Sequence, residues 1–324
     1  SRNSVIHIPK VLYHWRAIKG STARGVRQKR NIFETTEKAI LECFQRRKLN
    51  ATLCFADNSC NYPRTEFAID KKTNPKVSII IPTKDRIDLL ETCITSIFST
   101  IEYRNFEVIV INNESIEDHS HTFLNKINRD KRVEVFSISG AFNYSKLNNL
   151  VVEKAKGKIL LLLNNDIEAL NQGWFEEMLS HAMRPEIGCV GAKLHYPDSR
   201  LQHGGVIIGL LGGAGHSHKF AGKRSHGFMG HLSVIRNTSA VTAACMMVRK
   251  EVYQKAGGLD EKSFKVAFND VDFCLRVENL GYRNLWTPFA ELVHHESASR
   301  GDDQVTQEKR RRSSQEIINL QNRW

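Results

Sequence analysis

Between residues 77 and 163 the sequence alternates between short apolar runs and longer amphipathic stretches. The apolar runs are rich in Val, Ile and Leu, which is typical of strands that are buried on both faces. The stretches between them repeat apolar residues every three or four positions, which is typical of helices. This alternation predicts an α/β fold with a mostly parallel central sheet and helices on both faces. The predicted strands are 77–81, 106–111, 133–136 and 159–163, and the predicted helices are 87–99, 117–127 and 144–155.

Polar side chains follow three of the predicted strands. They are Thr83-Lys84-Asp85, Asn112-Asn113 and Asn164-Asn165-Asp166. Ligands of such sheets bind beyond the carboxyl ends of the strands. We therefore expect these three groups to converge on one crevice.

The second half of the chain is less regular. A long segment rich in glycine and histidine, residues 203–231, contains nine glycines. A structureless insert of that length is uncommon in a compact domain unless it has a function. Around it the sequence predicts strands at 187–194, 241–248 and 292–295, and helices at 268–280 and 303–320.

The positive charge is concentrated at one end of the chain. The net charge is +12, and residues 1–76 carry +10 of it, whereas residues 77–300 carry only +1. Enzymes that act on nucleic acids usually carry positive charge on the working face, so no nucleic-acid partner is expected. A basic arm could bind an anionic membrane surface or dock a preceding module. An equally good interpretation is that residues 27–48 form a basic helix that is simply exposed to solvent. The predicted division is a partly helical basic arm or linker (1–75), an α/β domain (76–300) and a helical tail (301–324).

The longest aliphatic run, residues 159–163, is far short of the roughly 20 residues that span a bilayer. The seven cysteines include no C-x-x-C pair and predict neither a disulfide framework nor a zinc knuckle. A reducing cytoplasm is the expected compartment, with contact at most to the inner face of the cytoplasmic membrane.

Three places in the sequence could carry chemistry. Asp166 follows the most apolar strand and could hold a hard cation against a diphosphate, although an Asx turn that ends the strand is an equal alternative. Asp270 and Asp272 are two positions apart on a predicted helix, so only one is expected to face the crevice, and helix capping accounts for the other. His294 and His295 alternate along a strand, so one could bind metal, although a structural histidine is the commoner case.

Six separated blocks of the sequence carry a recognisable pattern: Val77–Asp85, Val108–Ser115, Leu161–Asp166, Gly257–Glu261, Asn269–Cys274 and Leu292–Glu296. In this order and spacing they resemble family 2 glycosyltransferases, in particular those that build bacterial surface polysaccharides such as O-antigen. The stretch Ile8–Ala23 resembles the segment that comes after a preceding transferase module in tandem members, so a C-terminal piece of a multi-module enzyme is expected.

The resemblance implies a GT-A fold, a divalent cation (Mn²⁺ or Mg²⁺) and inversion at the anomeric carbon. It also implies transfer from a UDP- or dTDP-sugar, with dTDP-rhamnose and UDP-hexoses as leading donors, to a hydroxyl of a lipid-linked or polysaccharide acceptor. By motif position, Asp270 is then the general base, and Asp166 and His294 bind the metal. The nucleotide-sugar pocket is expected from Pro82, Thr83, Asp85, Asn112 and Asn165.

Two positions depart from the family's pattern. Asn112 stands where the family usually has Asp, although an Asn amide can still pair with a uracil or thymine edge. The D-x-D element keeps only one acid, Asp166. These departures motivate a second hypothesis, a catalytically silent module that binds glycan or a partner. Asp270 and His294, both retained, speak against it.

Two other enzyme classes fit less well. A nucleotidyltransferase would generally have a glycine-rich, basic first loop, and residues 82–86 contain no glycine. A dinucleotide oxidoreductase requires G-x-G-x-x-G after the first strand, and that motif is absent there.

Overall fold

The computed structural model of the protein describes residues 6, 8, 10–25, 31–55, 62–69, 72–296 and 306–324. The strands are β1 (Ala51–Phe55), β2 (Pro63–Phe67), β3 (Val77–Thr83), β4 (Phe106–Asn112), β5 (Val133–Ser137), β6 (Ile159–Leu163), β7 (Ile167–Ala169), β8 (Ile187–His195), β9 (Leu201–His203), β10 (Val206–Ile208), β11 (Ala214–His216), β12 (Arg236–Asn237), β13 (Cys245–Arg249) and β14 (Arg283–His294). The helices are α1 (Ile32–Arg47), α2 (Ile87–Thr100), α3 (Asp118–Ile127), α4 (Tyr144–Val152), α5 (Trp174–Ala182), α6 (Lys250–Lys255), α7 (Asn269–Asn279) and α8 (Gln307–Arg323).

A ten-stranded sheet runs through the centre of the protein in the order β12-β14-β8-β13-β6-β3-β4-β5, with β7 on β14 and β9 on β8. The four strands predicted between residues 77 and 163 pair in parallel, as expected. β13 then lies antiparallel to both β6 and β8, so the sheet is mixed beyond β6. The predicted α/β fold is confirmed, with its parallel pairing concentrated in the first half.

The parallel strands are buried on both faces because both faces carry helices. All seven residues of β3 are buried. Ile79 and Ile81 pack into a cluster with α2, α3 and α5, whereas Ile80 packs into a second cluster with α4, α6 and α7. Burial of an Ile side chain contributes about 1.5–3 kcal/mol, so an unbroken aliphatic strand is stabilised from both sides.

The second half differs more from the predictions. The strand predicted at 292–295 is the end of the twelve-residue β14, whose Thr287 and Pro288 interrupt the apolar pattern. The strand predicted at 241–248 begins only at Cys245, and residues 241–244 form a loop instead. The helices α5 and α6 were not predicted. α5 has nine residues and α6 has six, so neither displays several repeats of the helical period along the sequence.

The region predicted as a basic arm or linker contains more structure than expected. The described part of the helix predicted at 27–48 forms α1, and its first residues lie outside the described part of the chain. β1 and β2 form an antiparallel hairpin, which the sequence analysis did not anticipate. The hairpin packs on α5, where Arg64 Nη2 lies 2.9 Å from Glu177 Oε2 and the rings of Phe67 and His181 are 5.5 Å apart.

The segment 203–231 is not structureless, because β10 and β11 form an antiparallel hairpin within it. The predicted tail helix is α8, which packs back on the domain through Leu320 and an Arg323–Asp272 ion pair of 2.9 Å. Residues 303–305 of that prediction lie outside the described chain. Among the described helices, none is long and apolar enough to cross a membrane. Six cysteines, all except Cys60, lie in described positions and are free thiols.

Candidate active site

A crevice of about 1090 Å³ opens at the carboxyl ends of β3 and β6. Its other wall comes from the loop before β13, the start of α7 and the end of β14. Seven of the eight predicted site residues line it: Pro82, Thr83, Asp85, Asn165, Asp166, Asp270 and His294.

Asp166 and His294 meet inside this crevice. His294 ends β14, and its register pairing with Ile167 of β7 brings it beside Asp166. His294 Nε2 lies 3.1 Å from Asp166 Oδ1, and both side chains are buried. Burial works against ionisation of Asp166, but the adjacent His294 ring holds the pKa of that carboxyl below its usual value.

Oxygen and nitrogen at this spot suit a divalent cation. Asp166 Oδ1 is buried and accepts no hydrogen bond of regular geometry from any described residue. Such an orphaned carboxylate oxygen, next to an imidazole nitrogen, fits a cation such as Mn²⁺. Within the described chain, no group of three or more His, Cys, Asp or Glu side chains is assembled around one point. The chain therefore offers two ligands, and substrate oxygens or water would complete the coordination.

The neighbouring histidine, His295, points elsewhere. Its Nε2 lies 3.1 Å from Glu168 Oε2, and it does not line the crevice. The strand alternation predicted for the pair is therefore seen, and His294 is the one that faces the crevice.

The two acids of α7 are separated in the same way. Asp270 lines the crevice, where Oδ2 accepts the Ala243 amide N–H at 3.0 Å and Oδ1 accepts that of Val271 at 2.8 Å. Asp272 is fully buried and pairs with Arg276 at 2.8 Å and with Arg323 at 2.9 Å. Asp272 is thus a structural ion-pair partner, and only Asp270 is available to a ligand.

At the other end of the crevice, Thr83 Oγ1 accepts a hydrogen bond from Asn165 Nδ2 at 3.1 Å. Asp85 has a left-handed backbone (φ 48°), and its Oδ1 accepts the amides of Ile116 and Glu117 before α3. These contacts fix the loop after β3. A nucleotide is expected beside this loop, at the carboxyl end of the strand.

Asn112 behaves differently from the other candidates. It is the register partner of Thr83 at the end of β4, but it is buried and does not line the crevice. Its Oδ1 accepts the Ser115 amide at 2.9 Å. Asn112 therefore supports the loop after β4.

The sequence analysis missed two side chains of the site. Gln202 is buried, and its Nε2 lies 2.8 Å from His294 Nδ1, so it helps to orient that ring. His216, at the end of β11, lines the crevice beside Asp270 and His294. Both come from short strands around the glycine-rich segment, where no periodicity marks an inward-facing position.

Residues 78–257 match the family model described as "Glycosyl transferase family 2". The match spans more than half of the chain and includes β4, β6, Asp166 and all of β3 except Val77. The chain belongs to glycosyltransferase family 2. It is therefore a glycosyltransferase, and Asp270 and His294 lie beyond the matched range.

Two relatives of this family 2 glycosyltransferase align over nearly its whole length. One is the uncharacterized protein y4gI of Sinorhizobium fredii, 43% identical over 98% of this chain and 35% of the relative. The other is the O-antigen biosynthesis protein RfbC of Myxococcus xanthus, 36% identical over 94% of this chain and 23% of the relative. The chain thus spans about a third or less of these longer proteins.

Among solved structures, the fold is similar to that of the mannosyltransferase PcManGT from Pyrobaculum calidifontis, determined with GDP-Man and Mn²⁺. The TM-score is 0.54 at 15% identity, and the match covers 88% of this chain and 71% of the other. The family 2 glycosyltransferase described here therefore has the predicted GT-A fold.

Proposed function

We propose that this glycosyltransferase transfers a sugar from a UDP- or dTDP-sugar to a hydroxyl of a growing bacterial polysaccharide, with inversion and with Mn²⁺ or Mg²⁺. The observation that carries the proposal is that Asp270 lines the same crevice as the Asp166–His294 pair. In the described chain, Asp270 has no ion-pair partner. Its carboxylate is thus free to accept a proton.

Asp166 and His294 would hold the divalent cation. The bound cation supplies positive charge that stabilises the nucleoside diphosphate as it leaves. Thr83, Asp85 and Asn165 would orient the nucleotide from the β3 side of the crevice, since they surround the strand end where such ligands bind. Pro82 completes this wall.

Asp270 would act as the general base. It takes the proton of the acceptor hydroxyl as that oxygen forms a bond to the anomeric carbon, and the bond from this carbon to the phosphate oxygen breaks. The attacking and leaving oxygens are on opposite faces of the sugar, so a single displacement inverts the configuration. No covalent intermediate with the protein is needed.

The acceptor and location are inferred from the relatives and from charge. The O-antigen biosynthesis protein of Myxococcus xanthus supports a polysaccharide or lipid-linked acceptor. The net charge of +10 in residues 1–76 supports work in the cytoplasm beside an anionic membrane surface or a preceding module.

A panel of nucleotide sugars tests the proposal. A ligand at 100 times its Kd stabilises the native state by about 2.7 kcal/mol, so a true donor should raise the melting temperature in the presence of Mn²⁺ and not in EDTA. Labelled sugar from that donor should then enter a membrane fraction of the source cells. If no donor stabilises the protein with either metal, the proposal fails.

The second candidate is the silent module, which the single acid of Asn164-Asn165-Asp166 favours. It predicts binding of glycan without donor hydrolysis or transfer. Release of free nucleoside diphosphate from the stabilising donor, with Mn²⁺ present, would exclude it.

A further inference from the structure

Two histidines of the glycine-rich segment are in direct contact. His203 ends β9 and is fully buried, and His216 ends β11 and is partly exposed at the crevice. Their Nδ1 atoms lie 2.7 Å apart, and their rings are almost perpendicular at 89°. Two nitrogens at this distance require a proton between them, so one ring donates and the other accepts.

The backbone determines which ring donates. The amide N–H of Thr242 points at His203 Nε2, with 3.4 Å between the nitrogens. His203 Nε2 is therefore an acceptor, and the proton of a neutral His203 is on Nδ1. That proton is donated to His216 Nδ1. His216 must then carry its own proton on Nε2.

Both rings are held neutral. Burial lowers the pKa of His203 well below its ordinary value, and the nearby His216, Arg236 and His294 lower it further. Burial also lowers the pKa of His216, and Lys219 and His294 add to this, although the acidic Asp270 and Glu296 oppose it. A neutral pair keeps the tautomer assignment at ordinary pH.

Nε2 of His216 has no hydrogen-bond partner among the described residues.

The loop before β13 links this histidine pair to the expected base, Asp270. Thr242 donates to His203, and the next amide, that of Ala243, donates to Asp270 Oδ2. Two consecutive peptide groups thus hold His203 and Asp270 in a fixed relation, and His216, which contacts His203, lines the same crevice as Asp270.

We propose that His203 fixes His216 as the Nε2–H tautomer, and that this N–H donates a hydrogen bond to a sugar hydroxyl bound beside Asp270. The hydroxyl belongs either to the transferred sugar or to the acceptor sugar. His216 contacts substrate in this assignment, and His203 is a positioning residue. The inference rests on the proposed glycosyl transfer for the identity of its ligand.

The tautomers are testable in the protein alone. In the ¹⁵N-histidine-labelled full chain, protonated and unprotonated ring nitrogens give separate ¹⁵N signals. We expect a protonated Nδ1 for His203 and a protonated Nε2 for His216, with assignments from the His203→Asn and His216→Gln variants. A proton on His216 Nδ1 in place of Nε2 would overturn the inference.

The ligand is tested by His216→Leu, which removes the donor, and His216→Gln, which keeps an N–H of similar reach. His231→Leu is the matched control, because His231 is exposed in the same segment and does not line the crevice. Loss of one neutral hydrogen bond should weaken the affected step about fivefold. His216→Gln should recover most of the loss, and His231→Leu should behave as the unaltered protein.

Two arms distinguish the source of the hydroxyl. If it belongs to the donor, His216→Leu weakens Mn²⁺-dependent binding of UDP-glucose or dTDP-rhamnose, whichever binds, but not of UDP or dTDP alone. If it belongs to the acceptor, donor affinity is unchanged and the incorporation of labelled sugar into source-cell membranes falls. Equal weakening of the bare nucleotide, or no change in either assay, would overturn the contact.

Failure of the proposed function is visible separately. In that case the unaltered protein itself would neither bind a nucleotide sugar nor incorporate it. Failure of the present inference affects only the His216 variants, or the tautomer signals of the unaltered protein.

Discussion

Asp270 and Asp272 lie two residues apart in the first turn of α7, but they belong to different environments. Asp270 opens into the crevice and accepts only backbone amides, whereas Asp272 is fully buried between Arg276 and Arg323. Side chains two positions apart on a helix point about 200° away from each other, so Asp270 and Asp272 face different surroundings. The two carboxylates therefore offer a direct comparison between chemistry and structure.

Replacement of Asp270 should affect the transfer rate, whereas replacement of Asp272 should affect stability. Asp270→Asn should lower the transfer rate by roughly 10²–10⁴-fold, the usual cost of a lost general base, with donor affinity and melting temperature nearly unchanged. Asp272→Asn should lower the melting temperature, because Arg276 and Arg323 lose their buried counter-charge. Initial rates, donor titration and thermal unfolding measure the three quantities. Full turnover in Asp270→Asn would remove this residue from the role of base.

The metal site should depend on one histidine of the adjacent pair. Asp166→Ala and His294→Ala should each weaken Mn²⁺ binding about tenfold or more, because each removes one of two protein ligands. His295→Ala is the matched control, since His295 contacts Glu168 outside the crevice. Electron paramagnetic resonance of free Mn²⁺ gives the affinity without any turnover. Similar losses from both histidine changes would contradict the assignment.

Stability should fall in acid partly through Glu177. Burial works against ionisation of this side chain, but His181, Thr287 and Arg64 outweigh it and lower its pKa to about 2. This is below the ordinary value of about 4.3. The carboxylate therefore stabilises the fold fully above about pH 4.3, and this contribution disappears as the pH falls toward 2.

Urea unfolding at several pH values measures this contribution. Over the acid range, the free energy of unfolding of the unaltered protein should fall more steeply than that of Glu177→Gln. The exposed Glu91→Gln should keep the original slope. Identical slopes for the unaltered protein and Glu177→Gln would mean that the ion-pair network does not stabilise the charged form.

The basic N-terminal region should mediate salt-sensitive binding to anionic vesicles. Exposed apolar side chains such as Val11, Tyr13 and Trp15 lie there between Lys10 and Arg16. Each basic residue near such a surface contributes about 1 kcal/mol, and salt screens it over a Debye length of roughly 8 Å. A chain without residues 1–48 should therefore lose most of this binding, as a vesicle co-sedimentation assay would detect.

The truncation is placed before β1 because the hairpin belongs to the folded domain through Arg64 and Glu177. A chain without residues 1–70 is the comparison, and it should be less stable because Glu177 loses a partner. Undiminished vesicle binding after removal of residues 1–48 would rule out the membrane role and leave the docking of a module.

The parallel half of the fold could be predicted from sequence because β3, β4 and β6 are aliphatic on both faces. The hairpin β1–β2 could not, because its residues are half-buried and of mixed polarity. β14 was recognised only at its end, since Thr287 and Glu291 are accommodated by specific partners, Glu177 and Lys193. Such partners come from distant parts of the chain and leave no local signal.

For the site, sequence motifs identified the acids and His294, which the structure brings to one crevice. Local pattern could not identify His216 or Gln202, because each depends on a contact with a distant ring. It also could not show that the Asn112 side chain is buried against the Ser115 amide, because strand-end position alone does not give side-chain direction. The positions of these three side chains follow from how the strands pair, which the local sequence does not specify.

The contact between Asp166 and His294 joins parts of the chain that leave the ribosome at different times. His294 follows Asp166 by 128 positions, which take roughly 6–26 s to synthesise at about 5–20 residues per second. Early in that interval the strand ends beside Thr83 and Asn165 have been made, whereas α7 and β14 are made only near its end. A nascent chain can therefore form the β3 and β6 end of the crevice before Asp270 and His294 exist, so any activity that needs all of these groups begins only when the domain is complete.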